Sequence, residues 1–520
     1  MALRNYMVGL LPLLAASCLV GPDYVRPKIV LNASWSEAQD ARLGTDPVDV
    51  VWWRSFNDPI LDQLIEAAYH QNLSLQIAGL RIYEARAQLG VAIGRWWPSN
   101  VDPIATGTAV GLSEHGPNQA IADKRFGQYQ VGFDAVWELD IWGKYRHGIR
   151  AADAEWMATV ADYDDALVSL SAEVARTYVL IRMFEVLIAQ ARGNVAIQEE
   201  GLQIAEARFK NGATSELDVT QARNLLETTR ATIPDLQMGQ TQAENALSTL
   251  LGQPTGHVRA VLGNPADIPL PPVKVAVSVP AEMMRRRPDI RAAELRAIAQ
   301  CNRVGVAKSE LYPSFVLFGS VGTQTSSNGG MPSNNSTLSN LFGPGSLVYT
   351  AGGSLFWPIL QYKRIRNNVR VEDARFQQTL VGYVDTVLRA AQEVEDGMTG
   401  YLRQQEAATF EQNAVAAAET GVKIALIQYR EGAVDYTRVL DTQRSLLDSQ
   451  QRLANTRAAS ITNLIALYKA LGGGWESRQG DPVINDHNRI EMESRTSWGG
   501  YLETPHESTT FKTESAPSRR

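Results

Sequence analysis

The 520-residue sequence predicts a mainly α-helical protein with a small membrane-spanning β part, and three patterns support that fold class. Apolar residues recur in alternating steps of three and four over about 60 residues, as they do in a coiled coil. Four runs of about 10–13 residues alternate between apolar and polar side chains, as the strands of membrane barrels do. The same motifs also occur twice, about 220 residues apart, which indicates an internal tandem repeat of a large unit.

The composition is that of a folded chain and excludes several classes of protein. Acidic residues (56) outnumber basic ones (49), and the net charge of −7 argues against a protein held on nucleic acid by a basic surface. Two cysteines leave no room for a disulfide framework. No apolar run reaches the roughly 18–20 residues of a spanning helix, which excludes an integral membrane protein of the helical class.

Residues 1–17 have the pattern of a secretory signal peptide, in which Arg4 precedes an apolar run and then three small residues. Cys18 follows directly, so the segment looks like a bacterial lipoprotein signal in which this cysteine is lipidated. A plain signal peptide with an incidental cysteine is the alternative. Leu19, and not an acidic residue, follows Cys18, which by resemblance to sorted lipoproteins favours the outer membrane.

Two copies of one unit make up most of the chain, over residues 56–275 and 276–475. Each copy reads as a helix, two strands, a long helix, a turn and a second long helix. The first long helix would measure on the order of 90 Å at 1.5 Å per residue, which no compact globule accommodates. Gly212 in the first copy and Gly432 in the second mark the tight turns where each helical hairpin reverses.

The alternating runs predict four strands, at about residues 101–112, 128–140, 314–325 and 347–359. From Tyr129 to Leu139 the odd positions are apolar or aromatic, while the even positions are mostly polar or small. Soluble hairpins packed on the helices are the alternative. If the strands do span a membrane, four cannot close a barrel, and open sheet edges are not tolerated in lipid. Several copies must then pool their strands, and three copies would supply about twelve.

Four spaced motifs occur in a fixed order, at Val20–Pro27, Trp52–Phe56, Val136–Gly143 and Pro280–Glu294. Together with Cys18 they resemble the TolC/OprM-type outer-membrane factors, specifically the lipoprotein (NodT-like) branch of tripartite efflux systems. The resemblance covers about residues 18–475. One departure is Leu360–Tyr362, where the second repeat of the family often has an Asp or Asn followed by glycines.

The resemblance implies a homotrimer in which a twelve-stranded β-barrel, with four strands per protomer, continues into a long α-helical coiled-coil tunnel in the periplasm. Residues 18–55 would be an extended segment that wraps the helical barrel. The protein would be a passive exit duct of the bacterial outer membrane, lipid-anchored, for drugs, small amphiphiles or metal ions. An inner-membrane transporter and a periplasmic adaptor would pass these compounds on.

Two other functions stay open: a conduit for protein secretion, and a coiled-coil envelope lipoprotein without a pore. An enzyme is not expected, because the six histidines show no metal-ligand spacing and there is neither a GxSxG motif nor a phosphate-binding P-loop. We expect no cofactor and no nucleic-acid partner.

The resemblance also points to a periplasmic gate where the inner helices start. Asp441 and Arg444 lie one turn apart there, and three copies of Asp441 would ring the lumen. A surface ion pair between these two residues is the alternative. Asp218 and Tyr429 are candidates for a hydrogen bond that holds the two hairpins together, although Tyr429 also fits a seam aromatic that matches Phe209.

Residues that flank the two turns are the candidate contacts with the adaptor: Arg208, Lys210, Gly212, Arg430 and Gly432. Solvated helix ends are the alternative. The tail, residues 476–520, is polar and lies outside the repeated pattern, so we predict that it is disordered.

Overall fold

The structure is a computed structural model, and it describes residues 19–44, 46, 49–97, 100–113, 115, 125–277, 280–327, 338–478 and 480–502. The predicted signal peptide, 1–17, and the predicted lipidation site, Cys18, lie outside these residues. The chain divides into two compact units, each assembled from separate segments. Of the described residues, those of 19–27, 84–158 and 294–382 belong to unit 1, and those of 28–83, 159–293 and 383–502 belong to unit 2.

Most of the described residues are helical. In chain order they are α1 (Pro59–Gln71), α2 (Leu73–Gly94), α3 (Lys144–Lys210), α4 (Glu216–Leu250), α5 (Val258–Leu262), α6 (Pro280–Arg286), α7 (Pro288–Ser309), α8 (Tyr362–Arg430), α9 (Tyr436–Ala470) and α10 (Asp486–Arg495). The long helices α3 and α8 have 67 and 69 residues, and their partners α4 and α9 have 35 each. These matched lengths are what a duplicated unit predicts. Across the part of the chain that is described, no helix is both long enough and apolar enough to cross a membrane.

The strands are β1 (Leu43–Gly44), β2 (Asn100–Gly111), β3 (Arg125–Leu139), β4 (Val275–Ala276), β5 (Ser314–Ser327) and β6 (Leu347–Phe356). β1 and β4 form a short parallel pair in unit 2. The other four form an antiparallel sheet in unit 1 in the order β2-β3-β5-β6. They lie where the alternation of side chains predicts them, with ends displaced by up to three residues.

The register of this sheet separates an apolar from a polar face. Phe133 pairs with Val321, and Val321 pairs with Tyr349, so these three side chains lie on one face. Asp134 is paired with Ser320, and Ser320 with Thr350, on the opposite face. Within the described residues β2 and β6 each have one neighbouring strand, so both edges of the sheet present unpaired backbone groups.

The segment that precedes the first helix is extended at its start and is attached to unit 1 by specific contacts. The Val20 amide donates to the carbonyl of Trp142 at 3.2 Å. The Cys301 thiol, which is buried, donates to the carbonyl of Pro22 at 3.4 Å. Arg26 Nε donates to Glu294 Oε1 at 2.6 Å. Cys301 therefore serves as a small packed residue, and burial raises the pKa of its thiol.

Both helical hairpins reverse through the same turn geometry. Gly212 and Gly432 have φ angles of +71° and +79°, which residues with a Cβ rarely adopt. The amides after each helix donate back to the carbonyls of its last turn, as in the pair Ala213 N to Arg208 O at 2.9 Å. This Schellman-type ending satisfies carbonyls that an abrupt helix end would leave unpaired. A glycine is therefore required at the same point of each repeat.

The apolar seam of α3 is buried along most of its length, as its spacing predicts. Leu167, Val174 and Ile181 are all fully or almost fully buried. Burying side chains of this size stabilises the fold by about 1.5–3 kcal/mol each. The seam ends earlier than the sequence indicates, because Phe209 is 45% exposed. The helix ends at Lys210 and the tight turn follows, so Phe209 lies at the exposed end of the seam.

The prediction of a disordered tail is wrong for the described residues from 476 onwards. They include a 3₁₀ turn, Trp475–Arg478, followed by α10. Ile484 and Leu502 are buried in a small cluster with Tyr83 of α2. A Cβ at Gly79 would lie 2.1 Å from the Val483 carbonyl oxygen, so this glycine allows the tail to approach α2. A few apolar residues without regular spacing leave no periodic signal in a polar stretch, which explains the error. The remainder of the predicted tail, 503–520, lies outside the described residues.

Candidate functional site

The ends of both hairpins meet at one apolar cluster in unit 2, which we call the tip. It contains Ala205 of α3, Val219 of α4, Tyr429 of α8 and Val439 of α9, all buried. Helices α4 and α9 begin just after the glycine turns, and Asp435 caps α9 by accepting from the Arg438 amide at 3.2 Å. The apolar seams thus bring the two turns of the duplicated unit side by side.

Tyr429 and Asp218 join the two hairpins by a hydrogen bond. The Tyr429 hydroxyl donates to Asp218 Oδ2 at 3.1 Å, and the Thr214 hydroxyl donates to the same oxygen. Tyr429 is only 1% exposed and packs edge-on against Tyr436, with ring centroids 5.0 Å apart. Burial raises the pKa of Tyr429, so the phenol stays protonated and remains a donor. Tyr429 is thus at once a core aromatic and a polar link.

Arg208 is a second link between the hairpins. Its guanidinium donates to the backbone carbonyl of Tyr429 and, at 3.3 Å, to the carbonyl of Ala213. The same group lies over the Tyr429 ring, 4.7 Å from its centroid. A Cβ at Gly432 would come within 3.4 Å of the guanidinium, so the second turn leaves space for this side chain. The sequence suggested only an adaptor contact for Arg208, because nothing in its spacing indicates a partner on the other hairpin.

The remaining turn-flanking residues are exposed. Arg430 of α8 forms an ion pair with Glu200 of α3 at 2.7 Å, with both side chains more than half exposed. Such a pair is worth less than about 1 kcal/mol. Lys210, Gly212 and Gly432 are exposed as well. Lys210 forms no salt bridge with any described residue.

Asp441 and Arg444 lie on the exposed side of α9, next to the tip. The buried side of this stretch is formed by Leu440, Gln443 and Leu446. Neither Asp441 nor Arg444 takes part in an ion pair with any described residue, so the surface ion pair considered as an alternative does not form. Both charged side chains are therefore free to interact with another chain.

Buried amides interrupt the apolar contact between α3 and α9 just beyond the tip. Asn194 Nδ2 donates to Gln450 Oε1 at 2.7 Å. Gln443 is 3% exposed, and no described residue accepts from or donates to its amide group. Gln198 is also buried, with its Oε1 unpaired within the described chain. An unsatisfied buried polar group costs about 1–3 kcal/mol, so this amide seam weakens the packing between the hairpins near the tip.

The motif around Arg287 stabilises unit 2 at the far end of α9. Arg287 Nη1 donates to the Ala470 carbonyl at 2.9 Å and to Glu393 at 2.7 Å. Asp289 accepts from the Arg287 side chain and from the Ile290 amide, in the first turn of α7. The Arg287 side chain is only 10% exposed, so its loss would leave these carbonyl and carboxylate acceptors without their donor. The motif is therefore a structural clamp that needs no ligand.

A metal centre is not found in the described regions: no group of three or more His, Cys, Asp or Glu side chains is placed to hold an ion.

The chain matches the family model described as outer membrane efflux protein over residues 64–253 and 279–473. It is 29% identical over 467 residues to nodulation protein T of Rhizobium leguminosarum bv. viciae, covering 90% of this chain and 93% of that protein. It is 28% identical over 510 residues to the toluene efflux pump outer membrane protein TtgF of Pseudomonas putida, covering 92% and 98%. A solved structure of the outer-membrane channel OprN superposes with a TM-score of 0.81 at 29% identity, covering 88% of this chain and all of that one.

Proposed function

Since the chain belongs to the outer membrane efflux protein family, we propose that it is the outer-membrane channel of a tripartite efflux pump. The observation that carries this proposal is the match of the family model to both copies of the repeat. The protein is a passive exit duct for drugs, small amphiphiles or metal ions and catalyses no reaction. The name of TtgF, a toluene efflux protein, supports small apolar or amphiphilic cargo.

The sheet edges support a trimeric assembly. Four strands cannot enclose a pore, and the unpaired edges of β2 and β6 need partners in lipid. Three protomers joined from β6 to β2 give a barrel of about twelve strands, with the apolar face towards lipid and the polar face towards water. The helices of the three protomers then form the periplasmic tunnel, which the segment 18–55 wraps.

The contacts at the tip support a gate at the periplasmic entrance. The hairpin α8–α9 is held to the hairpin α3–α4 by Tyr429, through Asp218 and Arg208. Asp441 and Arg444 are exposed and unpaired beside this link, so three copies of each form charged rings across the lumen. Opening requires the α8–α9 hairpin to separate from its neighbours, which breaks the Tyr429 hydrogen bond.

The exposed turns supply the docking surface for the other pump components. Lys210, Gly212 and Gly432 are exposed, and Arg430 is bound only by a weak surface pair, so they are free to contact the periplasmic adaptor. The adaptor connects the duct to an inner-membrane transporter. The protein is anchored to the outer membrane by lipid on Cys18 after removal of residues 1–17, and extends into the periplasm.

The proposal is tested by deleting the encoding gene and restoring it on a plasmid. We expect the deletion strain to be sensitised to at least one of a panel of antibiotics, organic solvents and metal salts, with resistance restored by the plasmid. Secreted proteins are measured in the same strains. If the deletion strain keeps its resistance to the whole panel but loses a secreted protein, the proposed function is wrong and the duct serves protein secretion.

A further inference from the structure

A cavity of about 300 Å³ lies in unit 1 where the sheet meets the helices, and we call it the junction cavity. Its walls come from the ends of β3, β5 and β6 and from the adjoining ends of α3, α7 and α8. The lining residues that matter here are Glu138, Trp142, Glu310, Tyr312, Phe356 and Arg364. The tip, described above, belongs to unit 2, so the junction cavity is a separate feature of the molecule.

The junction cavity opens on the polar face of the sheet. Glu138 lies four residues after Asp134 in β3, and side chains an even number of positions apart in a strand share a face. Phe356 lies six residues after Thr350 in β6, on that same face. In the proposed channel the polar face lines the water-filled interior. The junction cavity is therefore on the path of the exported compound, an argument that rests on the proposed function.

One wall of the cavity is aromatic and rigid. The Trp142 and Tyr312 rings are stacked, with centroids 4.7 Å apart, and Trp142 Nε1 donates to the Pro313 carbonyl at 2.8 Å. Phe356 is 62% exposed, and both its cross-strand partner Ser314 and Ser354, two positions before it in β6, are polar. An exposed ring in a polar surround offers apolar area that a flat aromatic solute can cover.

Two opposite charges in the cavity have no ionic partner among the described residues. Glu138 is not one of them, because its charge is balanced by Lys144, whose Nζ lies 3.1 Å from Oε1. The Tyr145 hydroxyl also donates to Oε2. Within the described chain Glu310 forms no ion pair, and Arg364 bonds only the neutral side chain of Gln361, at 2.8 Å. The cavity thus presents one free carboxylate and one free guanidinium beside an aromatic wall.

We propose that the junction cavity is a transit site for aromatic zwitterions. The ring of the solute lies against Phe356 and the Trp142–Tyr312 pair, its cationic group faces Glu310, and its carboxylate faces Arg364. A volume near the lower end of the roughly 300–1,000 Å³ typical of ligand pockets fits one such molecule. Binding in a conduit must be weak enough for release, so the site slows passage without blocking it.

The test uses the full-length protein in planar bilayers and three probes. Norfloxacin is an aromatic zwitterion, its ethyl ester keeps only the cation, and its N-acetyl derivative keeps only the anion. Residence times are taken from interruptions of the single-channel current at pH 7. Glu310→Gln is expected to shorten the residence of norfloxacin and of the ester about threefold, the effect of one solvent-exposed ion pair, and to spare the N-acetyl derivative. Arg364→Gln is expected to shorten the residence of norfloxacin and of the N-acetyl derivative, and to spare the ester.

Each variant is expected to shorten the residence of two probes and to leave that of the third unchanged. The unchanged residence time shows that the variant still folds and conducts. Asp373→Asn and Arg370→Gln are the matched controls: both residues are exposed on α8 outside the cavity lining and carry the same charges. They should leave all three residence times unchanged. Equal effects in control and cavity variants, or no effect in either, overturn the transit site while the channel stands. Absence of any conductance in the wild type overturns the proposed function and the transit site with it.

Discussion

Tyr429 joins the two hairpins at the tip, and in the proposed gate its hydroxyl would help to hold the tip closed. Replacing it with phenylalanine removes only the hydroxyl that donates to Asp218. A hydrogen bond to a charged group contributes about 1.5–3 kcal/mol, so the link between the hairpins should weaken without a cavity forming. We expect Tyr429→Phe to raise the single-channel conductance or the time spent open in planar bilayers.

Tyr436→Phe is the matched control for this change. Tyr436 is equally buried in the same cluster, and its hydroxyl makes no hydrogen bond with the described residues. Its loss should therefore leave the conductance unaltered. Identical conductance in the two variants would show that the Tyr429 hydroxyl does not hold the tip closed.

Asp441 tests the charged ring independently of the hydrogen bond. The residue is exposed and has no ionic partner among the described residues, so in a trimer its three copies would face one lumen. Asp441→Ala should raise the conductance by widening and neutralising the constriction. Asp448→Ala, two turns further along α9, removes an exposed carboxylate that is already paired with Arg452 and serves as the control. A conductance unaffected by Asp441→Ala would remove this residue from the gate.

The residues of the tip differ in how far they could be predicted. Asp218 and Tyr429 were suggested by resemblance to the family, and the structure contains their hydrogen bond. Arg208 was not identified as a link, because its partner is a backbone carbonyl 221 residues away. Backbone acceptors carry no signature in the sequence, so contacts of this kind appear only once the hairpins are placed.

At the scale of elements, the amide seam between α3 and α9 sets how firmly the hairpins hold together. Gln443→Leu replaces an unpaired buried amide with an apolar side chain of similar size, so we expect a higher melting temperature and a lower open probability. Gln450→Leu should do the opposite, because it breaks a hydrogen bond to Asn194. Circular dichroism melts and bilayer recordings measure both effects. Changes of the same sign in the two variants would contradict the account of the seam.

Helix α3 also carries a buried carboxylate that makes stability depend on pH. Burial, and next the Asp289 carboxylate, raise the pKa of Asp165 from 3.8 to about 6. The folded state therefore binds more protons than the unfolded state between these values, and stability falls as pH rises through this window. Asp165→Asn should raise the melting temperature at pH 7.5 by roughly 1–2 °C and have little effect near pH 4. An equal shift at both pH values would show that ionisation of Asp165 is not the cause.

The elements themselves were largely predictable. The strands follow from alternation and the hairpins from heptad-like spacing, since both periods are set by burial along a regular backbone. The order of the tail after residue 476 was missed because its apolar contacts follow no regular period; they come from Val483, Ile484, Met492, Trp498 and Leu502. A regular spacing of apolar residues can be read from a sequence, whereas the docking of a few scattered apolar residues on a distant helix cannot.

At the scale of the whole molecule, the proposed function depends on copies of the chain sharing one pore. The strand faces and unpaired edges argue for it, and the family places the chain among outer membrane efflux proteins. The number of copies could be argued from sequence only by counting strands, because no residue pattern in β2 or β6 specifies how many copies would pair edge to edge.

Cysteine cross-linking across the sheet edges tests this assembly most directly. Single cysteines are scanned along β2 and β6 in pairs, in native membranes, and the oxidised products are separated by mass. A register pair inside the sheet, Val131→Cys with Thr323→Cys, should join strands within one chain and yield no larger species. A barrel shared by three chains should give edge-to-edge products of two and three chains and none larger. Products confined to one chain, or a ladder that continues beyond three, would contradict it.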